Sequence, residues 1–504
     1  MKQDNIQNLE DLLSVDSQSN VIVGLTDELK GIYLKKLLSK ENKSILFVTN
    51  SLYEANKFYQ IMQDLTAQVY LFPMDDFLTS EALAISPELK TTRLETLKAM
   101  TTIDQPKIVI TNLMGLLRYL PTVDTYRKSF LTLSKDMEYD PKKLVEELYR
   151  LGYQREVLVG KTGEMAVRGY VVDIFPVGTE FPIRLEFWGD TIESIRTFDI
   201  DTQLTNKEIS TITIEPNSEF LLSKVCEVEN HSQRMLKKYG PVSFIGEYLQ
   251  DYIQVFLNYN DIKIGYERLL DEMFHYHQSS GESENMDYMN ELENCYHEPR
   301  FALMNFDDNV EFVKNTQTYH STDISNISGP IDTVKKKLID YHKSRKFVIL
   351  ALSNRKQANQ LLEQFDSEQF IFTDSSHLDP MKINVIVYPL QYGFTIDHYM
   401  IFTPRELFEN QSHQHRYKTN FKLGTKINNI DKLSPGDYIV HQIHGIGRYC
   451  GMKTLTKSGL KKDYLMLEYK NGDKVYIPVE KIDYISKYSA KEGVQPKLNK
   501  LGGT

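Results

Sequence analysis

The sequence predicts a multidomain α/β and β protein. A mostly parallel α/β domain is interrupted by a small antiparallel β insert, and a further α/β domain and a small, strongly bent β-barrel follow. Three observations predict this. Strand-like and helix-like periods alternate over the first 135 residues and again after residue 321. Two separate blocks, 156–215 and 434–485, are dense in β-formers and Gly, Pro, Asp or Asn-Gly turns, with almost no helical period. Finally, 504 residues are too many for one compact core.

In chain order, the runs Val21–Leu25, Ile45–Thr49, Val69–Phe72 and Ile108–Thr111 are short, apolar and rich in β-formers. Between them, Leu52–Leu65 and Leu89–Met100 space apolar residues three and four apart, as helices packed on a parallel sheet do. PKKLVEELYRLGY is an amphipathic helix leading into EVLVG, YVVDIFP, FPIRLEFWGD, TIESIRTFD and TITIEP, the strands of the insert. Tyr266–Phe312 carries 12 acidic and 2 basic residues around SSGESENMD and reads as a solvated loop or surface helix pair. RKFVILALSNRKQANQLLEQF then echoes the earlier KSILFVTNSLYEANKFYQIM, a weak internal repeat of one βα unit. A polar, basic linker, Asn410–Ile430, precedes the terminal β module. The expected boundaries are 1–135 and 216–320 for the interrupted α/β domain and 136–215 for the insert. The further α/β domain takes 321–410, the linker 411–431, the terminal module 432–495 and a connecting tail 496–504.

Composition excludes several classes. The chain is 41% hydrophobic and 25% charged, as globular proteins are. No run of eighteen apolar residues exists, so no transmembrane helix is expected, and the N-terminus lacks the apolar core of an export signal. Cys226, Cys295 and Cys450 lie far apart without a CxxC pair, which fits the reducing cytoplasm and argues against a structural zinc site. The net charge of −10 divides unevenly: residues 413–504 hold 17 basic against 8 acidic side chains, leaving 42 against 61 in the rest. Parts of opposite sign suit different partners.

Nucleotide chemistry would belong at the first strand–turn–helix, VIVGLTDELKGIYLKKLL. A phosphate loop needs glycines whose N–H groups wrap the phosphates, a lysine, and a hydroxyl for magnesium. Here Gly24 is followed by Asp27, Leu29, Lys30 and Gly31. Anions and a bulky side chain replace the inner glycines, and the hydroxyl is missing. Lys30 alone survives, so no ATP binding is expected there. His275, His277, Cys295 and His297 lack zinc-ligand spacing, His413, His415, His441 and His444 lack nearby ligands, and GxSxG is absent. No metal, cofactor or catalytic residue is expected in this chain.

Two surfaces read as docking sites. Within FPIRLEFWG, Arg184, Glu186 and Trp188 alternate with Ile183, Leu185 and Phe187, so an inward apolar set turns Arg184 and Trp188 outward, near Arg168 on a neighbouring strand. Arg and Trp dominate interface energy. The bland alternative keeps Trp188 partly buried and pairs the arginines with Glu186 and Asp173. In GMKTLTKSG, Lys453, Leu455 and Lys457 share one side of a strand suited to pairing with a partner's sheet edge. Lysines that only keep an edge soluble are the alternative.

These same blocks carry a resemblance. GEMAVRGYVVDIFPVGTEFPIRLEFWGDTIESIRTFD resembles the insert domain shared by UvrB and the transcription-repair coupling factors. SPGDYIVHQIHGIGRYCGMKTL with DYLMLEY and DKVYIPVEKIDYIS resembles the RNA polymerase-interacting module of those factors, a Tudor-like barrel related to the CarD regulators. Their order, after ISPELKTTRLETLKAM and KIVITNLMGLLRYLP, is similar to the coupling factors and not to UvrB. The resemblance covers nearly the whole chain and is weakest in the acidic stretch.

It implies an adaptor in nucleotide excision repair. The insert would bind UvrA through Arg168, Arg184 and Trp188, where most relatives carry Phe in place of the tryptophan. The terminal module would add Lys453, Thr454, Leu455 and Thr456 as a strand to the β subunit of RNA polymerase. The altered loop at Gly24–Gly31 fits a UvrB-like domain whose nucleotide site has decayed. Family members continue into an ATP- and magnesium-dependent DNA translocase, so this chain, ending at KLNKLGGT, is expected to be an N-terminal portion without the motor. A cytoplasmic monomer is implied, meeting DNA mainly through the motor. Two other readings remain open: an enzyme acting on nucleotide or DNA through the first α/β domain, and a DNA-binding regulator acting through the basic C-terminal module.

Overall fold

The computed structural model describes residues 8–16, 18–74, 87–200, 202–221, 236–280, 289–365, 367–373, 377–408, 424–426, 436–441, 445–457, 460–470, 474–478 and 485–488. The tail, residues 281–288 of the acidic stretch, and the linker apart from 424–426 lie outside them. Residues 1–129 and 218–417 gather into one compact unit, and 130–217 and 418–504 into a second.

The first unit is built on an all-parallel sheet of seven strands. In spatial order these are Thr316–Thr318, Val21–Val23, Arg300–Met304, Tyr252–Leu257, Ser44–Thr49, Ile108–Asn112 and Val69–Phe72. Its inner strands are buried almost residue for residue, as expected when both faces are covered. Local chemistry fixes the helices. Ser51 and Glu54 cap each other's backbone N–H at the start of Leu52–Leu65, and Asn42, in the left-handed conformation at φ 50°, ends Asp27–Glu41.

The expected further α/β domain is a second, mixed sheet of six strands: Ser321–Asp323, Phe394–Ile396, Tyr399–Phe402, Phe347–Leu352, Ile383–Val387 and Phe370–Phe372. It lies within the same compact unit. Ile349, Ile386, Phe394 and Ile401 share one apolar cluster with Ile22, Leu29, Leu34 and Phe47 of the first sheet and its helix. The two echoed sequences are equivalent βα units: strand Ser44–Thr49 with helix Leu52–Leu65, and strand Phe347–Leu352 with helix Arg355–Phe365, each strand central in its own sheet.

The insert is also β-rich, as expected. Six strands pair in the order Thr205–Ile209, Thr191–Phe198, Ile183–Trp188, Val171–Ile174, Glu164–Arg168 and Gln154–Arg155, all antiparallel except the last pair. Its entry and exit close on each other through an antiparallel pair, Leu131–Ser134 with Thr211–Ile214. The amphipathic helix Pro141–Arg150 starts at an Asp140 cap and buries Leu144 and Leu148. The terminal module is an antiparallel sheet of six strands in the order Gly424–Lys426, Ile485–Tyr488, Tyr438–His441, Gly445–Lys457, Leu460–Glu468 and Lys474–Pro478. Among the described residues, no helix is long and apolar enough to cross a membrane.

One ionic cluster sits where the chain rejoins the first unit after the insert. Glu219 is buried between Arg93, whose Nε donates to Oε1 at 2.6 Å, and Arg118, whose Nη2 donates to Oε2 at 2.7 Å. Burial alone would raise the Glu219 pKa, but the two guanidinium groups outweigh it and hold the carboxyl down at about 2. The carboxylate is therefore ionised throughout the ordinary pH range. Replacing one member strands the others. Glu219→Gln is expected to cost roughly 3–5 kcal/mol by leaving two guanidinium groups uncompensated, read as a lower denaturant midpoint with an unchanged slope. A change under about 1 kcal/mol would contradict this account.

Candidate docking surfaces and the altered nucleotide loop

On the insert, strand register sets Trp188 and Arg168 at hairpin ends of the two strands that flank Val171–Ile174, and Arg184 four residues before Trp188 on the same strand. Ile183, Leu185 and Phe187 are buried, while Trp188, opposite Thr191 at the hairpin end, is 80% exposed. Gly189 makes that turn with φ +60°. The two arginines are tied down. Arg184 lies directly across from Asp173, and its Nε and Nη2 donate to the two Asp173 oxygens at 2.7 and 2.9 Å. Arg168 donates from Nη2 to the same carboxylate. Asp173 keeps only 2% of its side chain exposed beneath them, against 45% for Arg168 and 19% for Arg184.

Arg184 is further fixed by the Phe198 ring, 4.4 Å from its guanidinium carbon, and by Gln203 Oε1 at 3.0 Å. Glu186, weighed as a partner for these arginines, instead pairs with Arg196 and accepts from Ser194 Oγ at 2.9 Å. One acid thus holds two bases, and the cluster keeps a net positive charge. Tyr170, 67% exposed in the neighbouring turn, was not singled out from sequence. Its carbonyl accepts from Phe187 N at 2.9 Å, and the Gly169-Tyr170 turn was the available signal.

In the terminal module, Gly445–Lys457 is long and unevenly paired. Tyr438–His441 flanks it only along Gly445–Arg448, whereas Leu460–Glu468 runs beside it to the end, with Lys453 opposite Tyr464, Thr454 opposite Asp463, Leu455 opposite Lys462 and Thr456 opposite Lys461. A bulge between Tyr449 and Met452, with Gly451 at φ +107°, separates the two halves. Among the described residues, the other edge of Met452–Lys457 has no paired strand. Lys453 and Met452 are exposed; the side chains of Thr454, Leu455 and Thr456 lie outside the described residues.

The loop at Gly24–Gly31 is filled by the chain itself. A side chain at Gly24, where φ is +79°, would collide with the Tyr319 carbonyl. Ser321 Oγ donates to Gly24 O at 2.8 Å and accepts from Thr26 N at 2.9 Å. Lys30 is buried and donates to Asp27 Oδ1 at 3.2 Å and to Asn305 Oδ1, and Asp27 also pairs with Lys57 at 2.5 Å. Leu29 is fully buried, and a Cβ on Gly31 would meet Ile61 at 2.7 Å. Among the described residues, no group of three or more metal-ligating side chains occurs.

With this geometry in place, the chain falls into a class defined by two separate domains. Residues 131–220 match the UvrB interaction domain, and residues 433–489 match the CarD-like/TRCF RID domain. Along its length the chain is similar to curated proteins named transcription-repair-coupling factor. It is 27% identical to that of Bacillus subtilis strain 168 over 97% of this chain and 46% of the relative. Identity is 29% to that of Staphylococcus epidermidis RP62A over 98% and 47%, and 27% to that of Staphylococcus aureus NCTC 8325 over 100% and 48%. These matches make the chain similar, along nearly its whole length, to transcription-repair-coupling factors. It spans about half the length of the relatives it matches.

Beside the loop, Glu28 is buried with Oε1 accepting from Tyr392 N at 3.1 Å. Desolvation, opposed by backbone hydrogen bonds from Tyr392 and Gln391 and reinforced by Asp64 and Asp27, pushes its pKa up to about 8. The folded state therefore holds a proton that the unfolded chain, near the ordinary 4.5, releases. Stability is fully present below about 4.5 and falls as pH rises through about 8. Glu28→Gln keeps the acceptor and removes the titration. The variant is expected to match wild type near pH 5 and to melt at higher temperature at pH 9. Parallel melting curves at both pH values would contradict the assignment.

Proposed function

We propose that this chain is the recruiting part of a transcription-coupled DNA repair factor, linking stalled RNA polymerase to UvrA. The observation that carries this reading is two separate docking blocks on one chain: a UvrB interaction domain at 131–220 and a CarD-like domain at 433–489. On the insert, Arg168 and Arg184, pre-set by Asp173, and the exposed Trp188 form the UvrA contact. Their fixed rotamers reduce the entropy lost on binding. In the terminal module, a small barrel in this reading, the strand segment Lys453–Thr456 joins a strand of the polymerase β subunit through main-chain hydrogen bonds. The protein works in the cytoplasm as a monomer.

The loop at Gly24–Gly31 holds no nucleotide in this reading. Its space is taken by Tyr319 and Ser321, and its lysine is committed to Asp27 and Asn305. ATP-driven translocation on DNA and release of polymerase are assigned to the part of such a factor that this chain does not span.

Pull-downs with purified UvrA and, separately, polymerase β test the adaptor. Arg168→Glu with Arg184→Glu is expected to abolish UvrA capture and leave β capture intact, and Leu455→Arg to do the reverse. Loss of both partners from either variant, or of neither, counts against it. ATP turnover, measured with and without DNA, is expected to be absent. Turnover that disappears in Lys30→Ala would overturn the reading of the loop.

A further inference from the structure

The sheet containing Phe347–Leu352 carries a surface that neither docking block explains. Residues 335–356 hold six lysines and two arginines against one acid, Asp340, in a chain whose overall charge is −10. The sign reverses locally by a wide margin.

The fold spreads these charges on the outside. Helix Ile331–Lys343 buries Val334 and Leu338, leaving Lys336, Lys337 and Lys343 exposed. Arg345 and Lys346 continue the exposed run in the loop before strand Phe347–Leu352. Strand Ile383–Val387 pairs in parallel with that strand, so Lys382 begins its strand at the same end of the sheet. The neighbouring Met381 carbonyl lies 3.1 Å from His342 Nε2, which ties that loop to the end of the helix. None of these six cations forms an ion pair with a described residue.

We propose that this surface, from Lys336 to Lys346 with Lys382, binds the phosphate backbone of duplex DNA without reading its sequence. Lys336 and Lys343 share one helix face seven residues apart, about 10 Å at 1.5 Å per residue. A duplex carries one charge per about 1.7 Å of axis with both strands counted, so that length of duplex holds about six phosphates. A peptide partner would need apolar anchors in pockets. Among the described residues, Met381 is the large exposed apolar side chain beside these cations. The surface therefore offers charge and little else, which suits a regular polyanion. In a chain that is acidic elsewhere, it also marks where a duplex can approach without repulsion.

The test uses the full chain and a fluorescently labelled duplex of about thirty base pairs, in two unrelated sequences, with anisotropy measured across salt concentrations. Wild type is expected to bind both sequences equally. The variant combining Lys336→Gln, Lys343→Gln and Lys346→Gln is expected to lose at least about tenfold in affinity near 0.1 M salt. Its slope of log affinity against log salt should shrink by about 2.7, three contacts at about 0.9 each. A control combining Lys470→Gln and Lys474→Gln, exposed positions in the basic terminal module, should keep the slope within about one of wild type once those sites are not used. All these side chains are exposed, so melting temperatures should not move. Unchanged binding by the triple variant, loss confined to the control, or tighter binding of poly-glutamate than of the duplex would each overturn the proposal. UvrA and β capture by the triple variant should be unaffected.

Discussion

The parallel pairing of Ser44–Thr49 with Tyr252–Leu257 is the constraint from which the rest of the architecture follows. Two adjacent parallel strands must be joined by a crossover, and here that connection spans some two hundred residues, with two more strands of the same sheet laid down on the way. A connection of that length is tolerable only if it folds on itself. The antiparallel pair Leu131–Ser134 with Thr211–Ile214 brings its insert's ends together, so the insert reads to the sheet as a short loop. Immediately after that closure, Glu219 enters the protein between Arg93 and Arg118. Three buried charges at one point are a poor source of net stability but a strict condition on geometry. They fix where the chain re-enters.

The insert applies the same device at its surface. Asp173 is buried where an unpaired carboxylate would be costly, and Arg168 and Arg184 compensate it while remaining at the surface. The arginines are ordered before any partner arrives, and the stacking of Arg184 on Phe198 restricts it further. The same sheet also carries an exposed tryptophan, Trp188, a residue type enriched at interfaces. The terminal module takes another route. Its bulge between Tyr449 and Met452 divides the long strand: Tyr438–His441 pairs with it before the bulge, and Leu460–Glu468 runs beside both halves.

The loop after the first strand is held by contacts within the chain itself. Asp27 and Asn305 hold the lysine that would otherwise meet phosphate, and Tyr319 and Ser321 occupy the turn. Glu28 faces the backbone at Tyr392, inside the same compact unit that joins the two α/β sheets. These positions serve packing within the unit, and the buried, protonated Glu28 is an electrostatic cost of that arrangement.

Local pattern determined much of this protein. The two-residue period of Ile183, Leu185 and Phe187 specified which face of the insert is buried, and unbroken apolar runs such as Ile45–Thr49 specified buried parallel strands, because side-chain direction follows backbone geometry. The missing glycines and hydroxyl after Gly24 were likewise visible, being matters of residue type. Pairing across long separations was not visible. Nothing local says that Asp173 takes both arginines while Glu186 turns to Arg196, since both acids stand within reach on neighbouring strands. Nor could the sequence show that strands within residues 321–408 share a core with the first sheet. Those outcomes depend on which strands become neighbours, and only the closed tertiary structure decides that.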